Sequence, residues 1–209
     1  MRTKTLLLTA ALGAAGVATS LAQSVFSVNA VGYVNVDVPK GFSMIANPLD
    51  AGAGNNTIAK LLAGVPDGTV VYQFSAAGFS VNTLDLGEWN SPNAVLAPGG
   101  GAFIKSPSAA KITFVGEVMQ GALSNPIAAG FSIMSSQVPQ SGKLDTDLKF
   151  PAADGDTVYQ FDNASNGYKG HTLDLGEWSG GTPTPKVGEA FFVKAAKAAV
   201  WARTFSVNN

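Results

Sequence analysis

The residues best suited to chemistry in this chain occur twice, because the stretch Thr83–Trp89 returns unchanged as Thr172–Trp178. In sugar binding, carboxylates accept hydrogen bonds from hydroxyl groups while an aromatic face stacks on the ring. The repeat therefore predicts one candidate carbohydrate site in each copy, with no catalytic residue assigned. Each copy sets two carboxylates beside an indole: Asp85, Glu88 and Trp89 in the first, and Asp174, Glu177 and Trp178 in the second.

The same stretch also fits a purely architectural role, which is the simpler interpretation. Asp85 and Asp174 would each end a strand, and the glycine two residues later would supply a turn with positive φ. Each Trp would then cover the core of its module. A glycosidase would further require two carboxyl groups about 5 Å or about 6.5–9.5 Å apart across a cleft. Catalysis is the least favoured of these interpretations, and we predict a protein that is not an enzyme.

Other acidic residues and the one histidine are weaker candidates. Five aspartates of the second half could offer oxygens to Ca²⁺, but their spacing does not fit an Asp-x-Asp-x-Asp-Gly loop. We predict that they are turn residues, and we expect no metal and no cofactor. His171 is the sole histidine and aligns with Asn82 of the other copy, so we expect it on the surface. The five aspartates are Asp145, Asp147, Asp154, Asp156 and Asp162.

Composition narrows the class of partner. Charged residues make up 13% of the chain, the net charge is −1, and Lys and Arg are scattered, whereas a nucleic-acid face needs them clustered. There are no cysteines, so disulfides, thiolate catalysis and cysteine metal sites are excluded. A weakly charged surface suits a protein that packs against itself or against an extracellular polysaccharide. We predict those two partners and no nucleic acid.

The N-terminus predicts export by the general secretory route. Residues 1–22 have the pattern of a signal peptide: Arg2 and Lys4 precede an apolar run, and Ser20 and Ala22 are small residues before a cleavage site. The apolar run is shorter than the roughly 20 residues that span a bilayer. We therefore expect a mature chain that begins at Gln23, is secreted or held at the cell surface, and does not insert into a membrane.

The duplication extends beyond the repeated stretch and fixes the domain organisation. Two copies of one module must share a fold, and we predict modules at 23–115 and 116–209, closely packed or sharing a sheet. Further matched segments are Gly41–Ser43 with Gly130–Ser132, Val71–Phe74 with Val158–Phe161, and Phe103–Lys105 with Phe192–Lys194.

Strand patterns dominate both modules. Val34, Val36 and Val38 alternate with polar residues, which is the period of a half-buried strand. Segments 102–104 and 190–193 are apolar on both faces and should be central strands, and the glycine run 99–101 should mark a bulge or a close backbone approach. We predict a helix over 57–63 capped by Asn56, and at most a single turn within 141–150. The fold class is therefore all-β: two tandem duplicated modules of sandwich-like antiparallel sheets, with at most one or two short helices.

Several short motifs give the chain a resemblance to a known type of repeat. Gly41–Leu49, Val71–Phe74, Gly99–Phe103 and the segment 114–118 ending in Gly-Glu-Val follow one another in order. This arrangement resembles β-rich repeat modules in secreted and surface proteins of environmental Gram-negative bacteria, although Phe42 and Phe131 replace the Trp usual there. The resemblance implies fold and location, and it carries no activity or catalytic residue.

These observations predict a secreted, non-enzymatic structural or surface-matrix module, with carbohydrate binding as the alternative. The tetrapeptide Phe-Ser-Val-Asn occurs at 26–29, 79–82 and 205–208. The first and last copies lie near the ends of the mature chain and are strand-prone. These ends could pair within one molecule, or one of them could add a strand to the edge of a neighbour. We expect the second arrangement, in which the ends mediate self-association.

Overall fold

The computed structural model describes residues 30–208, and within that range it contains fourteen strands and one short helix. The first module comprises β1 Val31–Val38, β2 Gly41–Ile45, α1 Ile58–Leu61, β3 Val70–Ser75, β4 Gly78–Asp85, β5 Glu88–Trp89, β6 Ala102–Ser106 and β7 Ala110–Glu117. The second comprises β8 Gly121–Ile127, β9 Gly130–Met134, β10 Thr157–Asp162, β11 Gly167–Asp174, β12 Glu177–Trp178, β13 Phe191–Ala195 and β14 Ala199–Phe205. The signal-peptide prediction and the tetrapeptide at 26–29 lie outside the described residues.

Both modules have the same antiparallel topology. In the first, β1 pairs with β7, and a five-stranded sheet has the order β2-β6-β3-β4-β5. The second repeats this arrangement with β8 paired to β14 and the order β9-β13-β10-β11-β12. The all-β, two-module, sandwich-like fold predicted from the sequence is confirmed. The segment between β7 and β8 is only residues 118–120.

The core of each module lies between its five-stranded sheet and its two-stranded sheet. Ile45, Val71 and Ile104 project from one face of the larger sheet and pack in one cluster with Ile112 and Phe114 of β7. The strand period of two places these side chains on a single face. Segment 102–104 lies in β6, and segment 190–193 lies in β13 except for Ala190, which directly precedes that strand. Both strands have a neighbour on each side, so the prediction of central strands is confirmed.

The helix is shorter than predicted and is not capped as predicted. The helix α1 begins after Thr57, which forms no side-chain capping hydrogen bond. Asn56 is not the cap, because its side-chain amide donates to Asp50 Oδ1 (2.6 Å) and its Oδ1 accepts from Asn47 (2.9 Å). The second module has only a turn at the equivalent place, where Leu148 N–H donates to Lys143 O (3.0 Å). That single turn agrees with the prediction.

The two modules pack on each other through the second face of each five-stranded sheet, in an approximately two-fold arrangement. Ala46 N–H of the first module donates to Gly188 O of the second (2.8 Å). The equivalent bond runs from the second module to the first, where Ser135 N–H donates to Gly99 O (3.0 Å). Such reciprocal contacts are those of an isologous dimer interface. The duplicated chain therefore resembles a homodimer joined covalently by residues 118–120.

Gly101 permits this close packing. A Cβ atom at Gly101 would lie 2.6 Å from Ile133 Cγ2 and would also overlap the side chain of Ala190. Both neighbours belong to the second module, so the absence of a side chain lets the modules approach. The prediction of a close backbone approach in the run 99–101 is confirmed.

Candidate functional site: the repeated hairpins and the aromatic faces

The repeated stretch forms the same tight hairpin in both modules. Strand β4 turns into β5 with Asp85 paired to Glu88, and the two turn residues have positive φ, 50° at Leu86 and 82° at Gly87. The second module repeats these values, 50° at Leu175 and 79° at Gly176. Positive φ at both central residues defines a type I′ turn, which matches the twist of paired strands. The predicted turn glycines are therefore correctly placed.

An aspartate from a neighbouring turn holds each hairpin in place. Asp67 accepts hydrogen bonds from Leu86 N–H (3.2 Å) and Gly87 N–H (2.9 Å). Asp154 does the same for Gly176 N–H (2.9 Å) in the second module. The carboxylate satisfies amide donors that a two-residue turn leaves without strand partners. Both copies thus use the repeat and one additional aspartate to build a rigid corner.

The hairpin separates the carboxylates from the indole. Asp85 faces Glu88 across the hairpin, and Leu84 faces Trp89. Because successive residues of a strand point to opposite faces, the two carboxylates lie on one side and Trp89 on the other. The same register relates Asp174 to Glu177 and Leu173 to Trp178. All four carboxylates are exposed.

The two indoles occupy different environments. Trp89 is 8% exposed and belongs to the core of the first module, so most of its side chain packs against protein. Trp178 is half-buried, packs against the core of the second module, and donates from Nε1 to Asp145 Oδ2 (2.9 Å). These contacts favour the architectural role of the repeat, and the sugar-binding role stays a prediction.

One hollow borders the repeat in the first module. It has a volume of about 660 Å³ and lies between the α1 region and the β4–β5 hairpin. Its lining includes Asp67, Glu88, Trp89 and Pro92. Little of the indole is available here, because the residue as a whole is 8% exposed.

The aspartates of the second module stabilise turns through hydrogen bonds within the chain. Asp147 Oδ2 accepts from Lys143 N–H (2.9 Å), and Asp156 Oδ1 accepts from Ala196 N–H (2.8 Å). Asp162 accepts from Ser165 Oγ–H (2.7 Å), and this bond above all lowers the pKa of the carboxyl. No group of three potential metal ligands occurs within residues 30–208. These contacts agree with the predicted turn role.

His171 is buried, and the expectation of a surface histidine was wrong. It is 1% exposed on β11, opposite Val158, and its Nδ1 lies at hydrogen-bond distance from Gly181 O. Its Nε2 has no hydrogen-bond partner among the described residues. Burial is the main cause of a lowered pKa, so the ring is neutral at neutral pH. The aligned Asn82 is also buried, where it exchanges two hydrogen bonds with the backbone of Ser91.

Sequence reasoning missed an aromatic surface between the modules. Each five-stranded sheet turns five rings toward the other module, and the contacts obey the approximate two-fold relation. Phe74 and Phe192 have ring centres 5.6 Å apart, and the equivalent pair Phe161 and Phe103 are 5.4 Å apart. The signal available in the sequence was that five aromatic positions recur in both copies. They are Phe42, Tyr72, Phe74, Phe79 and Phe103, matched by Phe131, Tyr159, Phe161, Tyr168 and Phe192.

The aromatic rings leave two open hollows that correspond to each other. The first, of about 270 Å³, is lined mainly by Phe42, Tyr72, Phe79 and Phe103, with Phe161 and Tyr168 from the other module. The second, of about 420 Å³, is lined by Phe131, Tyr159, Tyr168 and Phe192, with Phe74 from the other module.

Some of these rings remain accessible at the rims of the hollows. Phe79, Phe131 and Tyr168 are 52%, 51% and 49% exposed. Burial raises the pKa of the Tyr168 hydroxyl, so the hydroxyl stays protonated at neutral pH. Large exposed apolar side chains that cluster, rather than occur singly, mark a contact surface.

Comparisons of the chain with family models, with curated proteins and with solved structures find no match. The described residues form no helix with the length and apolar character needed to cross a membrane.

Proposed function

We propose that this protein is exported and acts outside the cytoplasm as a non-enzymatic structural or surface-matrix module. The main support for this proposal is the structure that the repeated stretch forms in both modules. Both copies form the same type I′ hairpin, braced by Asp67 or Asp154. What the two modules have in common is thus a rigid corner and a packing surface, which is what a structural module requires.

The arrangement of the acidic residues also supports a non-enzymatic role. Asp85 and Glu88 lie side by side on one exposed hairpin, as do Asp174 and Glu177. General acid and base groups act on a substrate held between them. Two carboxylates on the same hairpin offer no such enclosure.

Self-association would explain how an exported module becomes part of a surface layer. The C-terminal copy of Phe-Ser-Val-Asn begins at Phe205, which ends β14 and pairs with Gly121 of the same chain. In the sequence, only Ala30 separates the N-terminal copy, 26–29, from β1. The strand β1 is at the edge of a two-stranded sheet and exposes Val31 and Tyr33 (73% and 67%). We therefore assign the predicted strand addition to the N-terminal segment.

Light scattering on the mature chain tests this assignment. Protein beginning at Gln23 should form dimers or longer species as its concentration rises, and protein beginning at Ala30 should be monomeric with an unchanged melting temperature. Removal of residues 206–209, which leaves β14 complete, is the matched control and should not alter assembly. A monomeric protein from Gln23 at high concentration would refute the self-association part of the proposal.

Carbohydrate binding is the second candidate, and the hollow beside Trp89 is the observation in its favour. Glu88 and Asp67 border this hollow together with Trp89. Binding to a panel of insoluble polysaccharides, with and without Ca²⁺, tests this function. The exposed carboxylates allow a clean variant: Glu88→Gln should abolish retention if the site is real and should leave folding unchanged. Absence of binding to every polysaccharide would leave the structural role alone.

A further inference from the structure

Each aromatic hollow has one lysine over one of the rings that line it. Phe42 pairs directly with Lys105 across β2 and β6, and Lys105 Nζ lies 5.3 Å from the centre of the Phe42 ring. Phe131 and Lys194 repeat the pair on β9 and β13, with Nζ 5.9 Å from the ring centre. Both distances are within the range of a cation–π contact. The duplication has therefore placed the same aromatic and ammonium groups twice.

Both ammonium groups are available to a ligand. Lys105 and Lys194 are exposed, and the ion pair recorded within residues 30–208 joins two other residues, Lys111 and Asp37. The side chains that line the two hollows, all within that described range, include no carboxylate. An acidic group at either rim would meet a positive charge and no negative charge from the lining.

The residues that line the hollows indicate what the rest of the ligand is, beyond its acidic group. They consist almost entirely of Phe and Tyr rings, with Asn166 at the edge of the first. A sugar would bury several hydroxyl groups there without partners, which costs roughly 1–3 kcal/mol for each group. A planar ring instead gains edge-to-face contacts with the wall rings. The volumes, about 270 and 420 Å³, are suited to a compound of one or two rings.

We propose that these hollows bind small aromatic carboxylates, one in each module, with the ring among the Phe and Tyr side chains and the carboxylate at Lys105 or Lys194. This site goes beyond the structural role proposed above and does not depend on it. A second copy of the chain is the competing occupant, because Phe79 and Phe131 are exposed enough to meet another protein surface.

One sequence difference makes the second hollow the better site. Tyr159 pairs with Gly170, whereas Tyr72 pairs with Val81 at the equivalent position. A Cβ atom at Gly170 would lie 3.5 Å from Cδ1 and Cε1 of Tyr159, an ordinary contact with no clash. Gly170→Val should therefore fold normally and cover the Tyr159 ring, as Val81 is placed to cover Tyr72. The second hollow should bind more tightly than the first and lose that advantage in this variant.

The experiment is an NMR titration of the mature chain, labelled at Phe and Tyr, with three probes. trans-Cinnamate supplies a ring and a carboxylate, cinnamamide supplies the ring alone, and hexanoate supplies the carboxylate alone. Cinnamate should shift the rings of both hollows with a dissociation constant on the order of 1 mM, given its size. Cinnamamide should bind about two- to fivefold more weakly, the value of an exposed ion pair, and hexanoate should be weaker than cinnamate.

The variants separate the two hollows. Lys194→Met should remove the preference for cinnamate over cinnamamide at Tyr159 and Phe131 only. Lys197→Met, which changes an exposed lysine other than the one over the Phe131 ring, is the matched control and should change nothing. Gly170→Val should weaken binding at the second hollow and leave the first as it was.

Three results would overturn the site. Unshifted ring signals at 20 mM cinnamate, roughly 20 times the expected dissociation constant, would mean that the hollows take no such ligand. Equal binding of cinnamate and cinnamamide would mean that the lysines do not contribute. Dimerisation in light scattering that disappears in Phe79→Ser, with no shift from cinnamate, would assign the aromatic surface to a second copy of the chain.

Discussion

Replacing Trp89 by Ala should destabilise the protein strongly, because the indole is 8% exposed and packs in the core of the first module. A buried Trp removes roughly 150–250 Å² from water, which at about 25 cal/mol per Å² corresponds to roughly 4–6 kcal/mol. Measured Trp-to-Ala changes in cores cost about 3–5 kcal/mol. We expect about 4 kcal/mol for Trp89→Ala, from urea unfolding of the mature chain followed by far-UV circular dichroism.

Trp178→Ala should lower the free energy of unfolding by less, about 2 kcal/mol, because this indole is only half-buried. That figure includes the loss of the hydrogen bond from Trp178 to Asp145. The inequality between two identical motifs is the informative part of the experiment. A site that stacked both indoles on sugar would leave both variants nearly as stable as the wild type.

A substitution in the turn of the same hairpin provides a control, because it should raise the free energy of unfolding where Trp89→Ala lowers it. Leu86 is 89% exposed and has φ of 50°, a conformation that Asn adopts more readily than Leu. Leu86→Asn should therefore stabilise the protein by about 0.5–1 kcal/mol. A loss below about 1 kcal/mol for Trp89→Ala, with Leu86→Asn behaving as expected, would contradict the core position of the indole and restore the sugar-stacking site.

Three further perturbations test other parts of the structure. Burial lowers the pKa of His171 in the folded protein, so below the ordinary histidine pKa of about 6.5 the unfolded chain takes up a proton more readily than the folded one. The contribution of His171 to stability should therefore be complete above that pH and should decline as the pH falls below it. His171→Asn, which copies Asn82, should flatten this part of a plot of melting temperature against pH. Gly101→Val should lower the free energy of unfolding by at least about 1–3 kcal/mol, because the new side chain meets Ile133 and Ala190; unchanged stability would contradict the close packing of the modules. Asp67→Ala should cost about 1 kcal/mol in urea unfolding by leaving the amides of Leu86 and Gly87 without their acceptor, and a neutral result would remove its bracing role.

Local patterns were sufficient to predict much of the fold. The alternation of Val34, Val36 and Val38 and the apolar run at 102–104 became β1 and the central strand β6, because strand period and two-faced burial are properties of neighbouring residues. Because the sequence is duplicated, each strand predicted in the first module also predicts the equivalent strand of the second. Division into a two-stranded and a five-stranded sheet was not predicted, since the pairing of β1 with β7 joins residues far apart in sequence.

The errors have specific causes. Asn56 has the residue type of a helix cap, but a partly buried hydrogen-bond network with Asp50 and Asn47 engages its side chain instead. His171 is polar, yet β11 turns it inward opposite Val158, where the other module has a buried Asn.

The aromatic surface was missed for a related reason. Alternation shows that Tyr72 and Phe74 share a face, but it cannot show that a second module lies against that face. The pairing of the modules depends on contacts such as Phe74 with Phe192, which only the tertiary structure brings together.

The most direct test of the central claim is the location and N-terminus of the native protein in the cells that produce it. Cell fractionation with an antibody against the folded modules, followed by mass spectrometry of the recovered chain, measures both. An exported structural module should be found outside the cytoplasm with its N-terminus at Gln23. Protein that remains in the cytoplasm and retains residues 1–22 would contradict the proposed function.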